Sequence, residues 1–490
     1  MEKKKVGFAS SLGFILASAG SAVGLGNLWG FPYKAAKNGG AAFVLIYIGC
    51  VLFIGFITMM TEMHLGKRVH ANPVSAFKNA NKNMGWVGLL VTAIPFLICC
   101  YYSVLGGWTT KYALNSFTGN AGIIADFSTN VGEVVLYTVI FMALVLVIIM
   151  AGVGDGIEKM SKVLMPTLFI ILVGVACYSL CLGEGVSEGL SFYLNPDFSS
   201  VTFSTVLAAM GQAFFSLSLG MGAMVTYGSY TGKEINMTKS AAMVCLFDTV
   251  AALLAGFAIF PAVAHFDPSL LDGAKGVGLM YITLPMVFDS MGVVGQIVSF
   301  LFFTMVVIAA LTSIMSLVEV VTQFVLQKYH FSRKKSALVV ICACTLLSVP
   351  VGISLGRVAI CEVPGPNAFG IDWLTFLDEI TNTVLMPVAA FLACVVVGWI
   401  IKPKKAMEEM EAEGSKLGFM KKLYPVFVKF ITPALILVVE VGGVKGEFDG
   451  GMAPVVYCAY ALVAVCVVVY FAAFKNSNTG TNDDEKLAKD

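Results

Sequence analysis

The chain has 490 residues, of which 58% are hydrophobic and 12% charged, and its mean hydropathy is +0.87. Soluble domains carry about 25% charged residues, so this composition points to a protein that lives mainly in a bilayer. The net charge of +1 offers no basic surface to nucleic acid. The twelve cysteines contain no Cys-x-x-Cys pair, so neither a disulfide framework nor a soft-metal site is expected.

In chain order, the apolar runs predict about twelve spans, each near the roughly 20 residues a bilayer needs. They fall near 8–36, 41–66, 86–116, 134–151, 160–182 and 202–230, then 237–264, 292–327, 336–355, 374–401, 422–441 and 453–474. The first run continues past the length of a signal segment and reads as retained. Lysine and arginine crowd alternate loops: Lys3 to Lys5, Lys67 and Arg68, Lys159 and Lys162, Arg333 to Lys335, and Lys402 to Lys422. The opposite loops hold Lys275, Arg357 and Lys445. Both termini are therefore expected in the cytoplasm, with the chain a multi-pass protein of the cell membrane. Residues 1–474 read as one transmembrane domain, 403–418 as a solvated charged helix or linker, and 475–490 as a disordered polar tail. Glycines and Pro268 in the loop 265–291, and the loop 356–373, suggest short helices over an opening.

The first run is interrupted where a spanning helix should be continuous. Gly20, Gly24 and Gly26 fall within seven residues, and Asn27 adds a carboxamide at membrane depth. Each glycine costs a helix about 1 kcal/mol relative to alanine. Backbone freed there must meet a cavity or an ion, because hydrocarbon cannot satisfy it. A small-residue packing face is the alternative. A second interrupted run, Gly211 to Gly222, begins five spans later and so enters from the opposite side. Paired Gly-interrupted spans in two halves mark a transporter site built by inverted repeats. The halves would be 8–182 and 202–401, with 422–474 as two further helices.

The run Ser21 to Tyr33, with Asn38-Gly39-Gly40-Ala41 and Phe43, resembles the signature of neurotransmitter:sodium symporters. Gln212 to Tyr230, Leu311-Thr312-Ser313, and Gly156 with Pro166 ten residues on extend the resemblance. It implies an all-α polytopic LeuT fold of twelve helices, a 5+5 inverted repeat whose first and sixth helices are unwound. The implied activity is Na⁺-coupled import of an amino acid by alternating access, as in the prokaryotic branch of the family.

Two sodium sites follow from the resemblance. The first would use the Ala22 carbonyl and the side chains of Asn27, Ser216 and Asp248, with the substrate carboxylate. The second would use the Gly20, Val23 and Ala309 carbonyls with Thr312 and Ser313. All are oxygen donors, which suits a hard cation. The substrate site would comprise Gly24, Leu25, Gly26 and Tyr102 at its carboxylate end, and carbonyls around Phe215 and Ser218 at its ammonium end. Val104 or its neighbours, Phe215, Met221 and Leu317, with Ser313 nearby, would line the side-chain pocket. That set carries no charge, so an aliphatic or aromatic substrate is expected. Monoamine transporters of the family carry Asp at the position of Gly24, which argues here for an amino acid.

Chloride-dependent relatives hold Cl⁻ with Tyr, Gln and Ser residues. Tyr47, Gln212 and Ser216 are present, but Ala252 stands where the last Ser would be, and Asp248 lies one helical turn earlier. A fixed carboxylate would replace the anion, so no chloride requirement is expected. Its insertion cost, about 2.5–3.5 kcal/mol, would be offset by sodium.

The gates depart from the family. Gly30 and Thr381 replace the external Arg–Asp pair, leaving closure to Tyr102, Phe215 and the outer loops. On the cytoplasmic side Lys5 and Phe8 match an Arg and a Trp, while Gln327 replaces the acidic partner, so a strong internal ion pair is not expected. Gly156 to Pro166 could unwind and admit water to the second sodium site. Glu62 would brace the second break, and the four histidines are assigned no chemistry. No Walker motif is present, which excludes the usual ATP site. An intramembrane hydrolase and a non-transporting amino-acid sensor of the same fold are the rival classes, and a Na⁺- or H⁺-coupled carrier of the same fold for another small solute is the nearest transporter alternative. The sequence leaves the oligomeric state open.

Overall fold

A computed structural model describes residues 7–118, 127–271, 279–355 and 372–475. Lys5, the loop 356–371 and the tail from 476 lie outside the described residues. Among them, every regular element is helical. Ten helices are long and apolar enough to cross a membrane, and one bent pair makes up to eleven spans.

The bent pair is α1 (Ser11–Ala22) and α2 (Gly26–Lys37), inclined at 46°. The Ser10 hydroxyl accepts from Gly13 N–H and starts α1. Val23, at φ −74° and ψ 94°, leaves the helix and ends it. Then come α3 (Ala41–Val69), α4 (Pro73–Ala80), α5 (Gly85–Asn115), α6 (Val131–Met150), α7 (Val153–Leu180) and α8 (Val186–Leu194). The second interruption separates α9 (Phe203–Ser216) from α10 (Ala223–Ser229). Between them Ser218, Gly220 and Gly222 all take φ between 55° and 76°, a region that favours glycine at two of the three. The chain continues as α11 (Met237–Phe266), α12 (Leu279–Ser290), α13 (Gly292–Tyr329), α14 (Arg333–Leu355) and α15 (Trp373–Ile401). It ends with α16 (Pro403–Ala412), α17 (Met420–Asp449) and α18 (Ala453–Phe474).

The expected spans match these helices to within about three residues, except that the one expected at 160–182 begins at Val153 and the one expected at 422–441 runs on to Asp449. The charged stretch 403–418 differs in part. Most of its charges, Lys404, Lys405, Glu408, Glu411 and Lys416 among them, are exposed as expected, but one face is docked: Glu409 of α16 lies 3.0 Å from Arg68 Nε and 3.2 Å from His64 Nε2. Lys67 Nζ donates to the carbonyls of Glu413 (2.7 Å) and Ile235 (2.9 Å), so the last basic turn of α3 holds the end of α16. Of the short helices expected in 265–291, one is present as α12, while 272–278 lie outside the described residues.

Large apolar side chains face outward, among them Val147, Ile170, Val293, Leu346 and Val468, each two-thirds or more exposed. Polar and charged groups such as Asn27, Glu62, Asp248 and Glu319 are buried instead. That inversion is what hydrocarbon solvent demands. The longest helices, α5 and α13, pack along each other and support the broken ones. At 38 residues α13 is about 57 Å long at 1.5 Å per residue.

Glycines set one contact that positions the site. A Cβ at Gly66 of α3 would lie 1.8 Å from the Val225 carbonyl oxygen, and one at Gly228 of α10 would lie 2.4 Å from that of Met63. The two helices thus touch backbone to backbone, and neither partner atom is a side chain that can move aside. Gly66→Ala is expected to destabilise the folded protein strongly, whereas Gly174→Ala, with nothing within 4 Å, should not. Thermal unfolding of the detergent-solubilised variants checks this; equal midpoints would contradict the packing described.

Candidate functional site

The two interruptions meet: side chains of the second satisfy carbonyls of the first, and neighbouring helices satisfy freed N–H groups of both. Ser218 Oγ donates to the Ser21 carbonyl (2.8 Å), and Gln212 Nε2 donates to the Gly26 carbonyl (2.7 Å). Glu62 Oε1 of α3 accepts from Gly220 N–H at 2.7 Å, the bracing role expected of it. Leu25 N–H donates to the Tyr102 hydroxyl at 3.1 Å, and Gly24 N–H to Asn27 Oδ1 at 3.1 Å.

Asn27, Ser216 and Asp248 are brought together with no water-exposed surface of note. Asn27 Nδ2 lies 2.8 Å from Asp248 Oδ1, 3.0 Å from the Asp248 carbonyl and 3.0 Å from Ser216 Oγ. Ser216 donates to Asp248 Oδ1 (2.7 Å) and Tyr47 to Asp248 Oδ2 (2.8 Å). The carboxylate therefore receives three donors from three different helices. Tyr47 and Ser216 are two members of the set that the resemblance connects with chloride. The third, Gln212, turns instead to Gly26, and its Oε1 has no partner among the described residues.

The second oxygen set gathers where α13 passes α1. Ser313 Oγ lies 3.3 Å from the Gly20 carbonyl, and Thr312 Oγ1 lies 3.0 Å from that of Ala309. A Cβ at Gly20 would stand 3.0 Å from that of Thr312, so this glycine permits the close approach. Thr312 also bonds back to Ile308 (3.1 Å), the ordinary fate of a membrane threonine. Val23 sits at the exit of α1, where the backbone turns extended. Among the described residues, no three His, Cys, Asp or Glu side chains converge. Carbonyls, hydroxyls and one carboxylate are hard donors, suited to a hard cation.

Between the two sets is a small cavity. Ala22, Gly24, Gly26, Tyr102, Phe215, Ser218, Met221, Ser313 and Leu317 line it, all expected from the sequence, together with Ser21 and Ile98. Val104 does not: it is buried toward Gly352. Ile98, one turn before Tyr102 on the same helix, takes its place, and that spacing was the available signal. A Cβ at Gly24 would lie 2.3 Å from Ser313 Oγ and 2.9 Å from the Tyr102 hydroxyl. The cavity thus has no room for a carboxylate side chain at that position.

The lysine-rich side is closed by a pair that sequence reasoning missed. Glu319, fully buried in α13, accepts two hydrogen bonds from Arg333 (2.6 and 3.0 Å) and one from the Tyr230 hydroxyl (2.7 Å). Arg333 Nε also donates to the Ile149 carbonyl (2.8 Å). The expectation of no strong internal ion pair is therefore corrected. Gln327 serves elsewhere, accepting from Asn72 N–H and Nδ2. Phe8 is buried against Phe14 and Tyr227, and its N–H donates to the Tyr230 carbonyl. Glu158 of α7 holds the start of α1 by accepting from Ala9 N–H (2.6 Å) and Ser10 Oγ (2.8 Å). Its helix is the one carrying Gly156 and Pro166, continuous here from Val153 to Leu180. At the opposite end, Gly30 faces Gln212, and Lys34 lies one turn further on, within the field of Asp378 and Glu379. Opposite charge there is displaced one turn from Gly30 and Thr381.

Breaking a buried ion pair from one side costs about 3–5 kcal/mol. Glu319→Gln is therefore expected to loosen the lysine-rich closure and speed hydrogen–deuterium exchange in residues 7–18. Exchange unchanged from wild type would show that the pair does not hold that end shut.

A model of the sodium:neurotransmitter symporter family matches residues 5–123 and 121–474. An uncharacterised sodium-dependent transporter of Bacillus subtilis is 34% identical over 457 residues, covering 89% of this chain and 97% of the relative. One from Haemophilus influenzae is 31% identical over 464 residues, covering 89% and 98%. The crystal structure of MhsT in complex with L-phenylalanine superposes with a TM-score of 0.81 at 37% identity, covering 90% of this chain and all of MhsT. The chain belongs to the sodium:neurotransmitter symporter family, as a multi-pass membrane transporter and not an enzyme.

Proposed function

We propose that this protein imports a hydrophobic amino acid across the cell membrane by Na⁺-coupled symport with alternating access. The observation that carries the reading is the junction of the two breaks, with an oxygen cluster on either side of an uncharged cavity. Asn27, Ser216 and Asp248, with the Ala22 carbonyl, would hold one sodium ion beside the substrate. Gly20, Val23, Ala309, Thr312 and Ser313 would hold the other. Na⁺ is here a co-transported substrate, and the family and its sodium-dependent relatives support its use.

The α-carboxylate would meet the backbone at Leu25 and Gly26 and the Tyr102 hydroxyl, which already accepts from Leu25 and so has its proton to donate. The ammonium would face the carbonyls near Phe215 and Ser218. Ile98, Met221, Phe215 and Leu317 would surround the side chain, an apolar wall consistent with the phenylalanine bound by MhsT. In this reading α9 and α10 form a twelfth, broken span equivalent to α1 and α2. The lysine-rich side is cytoplasmic. The Glu319–Arg333 pair and Glu158 close it, while Tyr102 and Phe215 cover the substrate.

Asp248 would supply the negative charge that chloride gives other relatives. Three donors already face its carboxylate, and Tyr47 and Ser216 are two of them. Transport is then chloride-independent.

Radiolabelled L-phenylalanine uptake into proteoliposomes tests the proposal. Saturable accumulation is expected under an inward Na⁺ gradient, abolished by replacing Na⁺ with choline and unaffected by replacing Cl⁻ with gluconate. Saturable binding without accumulation would favour the sensor reading instead. Asp248→Asn is expected to weaken Na⁺ or to make uptake chloride-sensitive. Thr312→Ala with Ser313→Ala should raise the Na⁺ requirement more than about ten-fold, or ~1.4 kcal/mol. An unaltered Na⁺ dependence would make these two packing hydroxyls.

A further inference from the structure

At the lysine-rich end, away from the substrate cavity, α4, the last turns of α13 and the end of α18 enclose a separate groove. Val74, Ser75, Phe324, Gln327, Lys328 and Phe474 line it. Its wall belongs to a small apolar cluster of Val74, Tyr470 and Phe474, distinct from the main core, with Trp86, Leu89 and Phe324 packed against it.

Lys328 lines this groove, and Lys78 reaches its wall at Phe474. Lys328 places its ammonium 4.3 Å from the centre of the Phe474 ring, and Lys78 Nζ donates to the Phe474 carbonyl at 3.2 Å. Two cations thus sit on opposite ends of one residue. Lys82 is held nearby, since the Tyr470 hydroxyl donates to its carbonyl at 2.6 Å. Burial first, and then the like charges of Lys82 and Lys328, push the Lys78 amine below its ordinary pKa. Among the described residues, no carboxylate forms an ion pair with Lys82 or Lys328. The outer side of the same helix end is apolar and exposed, at Val468 and Phe471, and Lys475 lies 4.7 Å from the Phe471 ring.

Concentrated positive charge beside an exposed apolar helix face, at the depth where a span leaves the bilayer, is complementary to one kind of molecule. It needs an anionic phosphate to lie among the lysines and hydrocarbon chains to run along Val468 and Phe471. We propose that this groove binds the headgroup of an anionic glycerophospholipid of the cytoplasmic leaflet. Basic pockets between helices on that side suit such headgroups. The bound lipid bridges α4, α13 and α18, and α13 also carries Thr312, Ser313 and Glu319.

Native mass spectrometry of the full chain, delipidated and offered phosphatidylglycerol and phosphatidylcholine in equal amounts, tests this. Preferential retention of phosphatidylglycerol is expected, and at least a ten-fold loss of that preference in the Lys78→Gln, Lys82→Gln, Lys328→Gln triple variant. A second triple variant, Lys233→Gln, Lys239→Gln, Lys404→Gln, removes the same charge elsewhere and should keep the preference. Unchanged elution and thermal midpoint of both variants would show that they are folded. An equal loss in the two variants would reduce the effect to net charge and overturn the site. Retained preference in the first variant would overturn it as well. Displacement of the lipid by millimolar inorganic phosphate would assign the lysines to a free anion and contradict the lipid.

Discussion

Backbone released from a helix at membrane depth has no water to bond to, and everything central in this protein answers that constraint. The extended turn after α1 and the left-handed turns after α9 would each be untenable alone in hydrocarbon. Placed against each other and against α3 and α5 they find partners: Ser21 from Ser218, Gly26 from Gln212, Gly220 from Glu62 of α3, Leu25 from Tyr102 of α5. These bonds are mostly between a side chain of one element and the backbone of another. A shift of either half-helix would therefore unpair several buried groups at once, each costing about 1–3 kcal/mol.

The same economy explains the chemistry of the oxygen clusters. Asp248 is fully buried, yet its carboxylate is met by a tyrosine, a serine and an amide rather than by a basic side chain. Dipoles can hold the anion in place without neutralising it, which leaves a net charge for a mobile cation. The closure at the lysine-rich end works differently. Glu319 and Arg333 cancel each other, share Tyr230, and leave no charge for a ligand. In the proposed function the first buried carboxylate would attract an ion and the second would hold one end shut.

Most of the architecture was legible in the sequence because bilayer thickness and hydrophobic run length constrain each other directly. The breaks were legible because three glycines and an asparagine cannot sit quietly in a spanning helix. Side-chain direction was less so: Ile98 and Val104 are both apolar on α5, and only packing tells which faces the cavity. The Glu319–Arg333 pair escaped because its partners lie on different helices. They are joined only when the chain reverses through His330, at φ 52°. The docking of α16 through Glu409 escaped because its partners, His64 and Arg68, lie more than 300 residues earlier.

If the junction is one site for ion and amino acid, the two ligands must be thermodynamically linked. Sodium then raises the affinity for L-phenylalanine by some factor, and L-phenylalanine raises the affinity for sodium by the same factor. Equilibrium binding to the purified protein, with each ligand titrated at several fixed concentrations of the other, measures both factors. The account expects them to be equal and well above one, and to fall to one in Asn27→Leu. Phenylalanine affinity that is indifferent to sodium in the wild-type protein would contradict it.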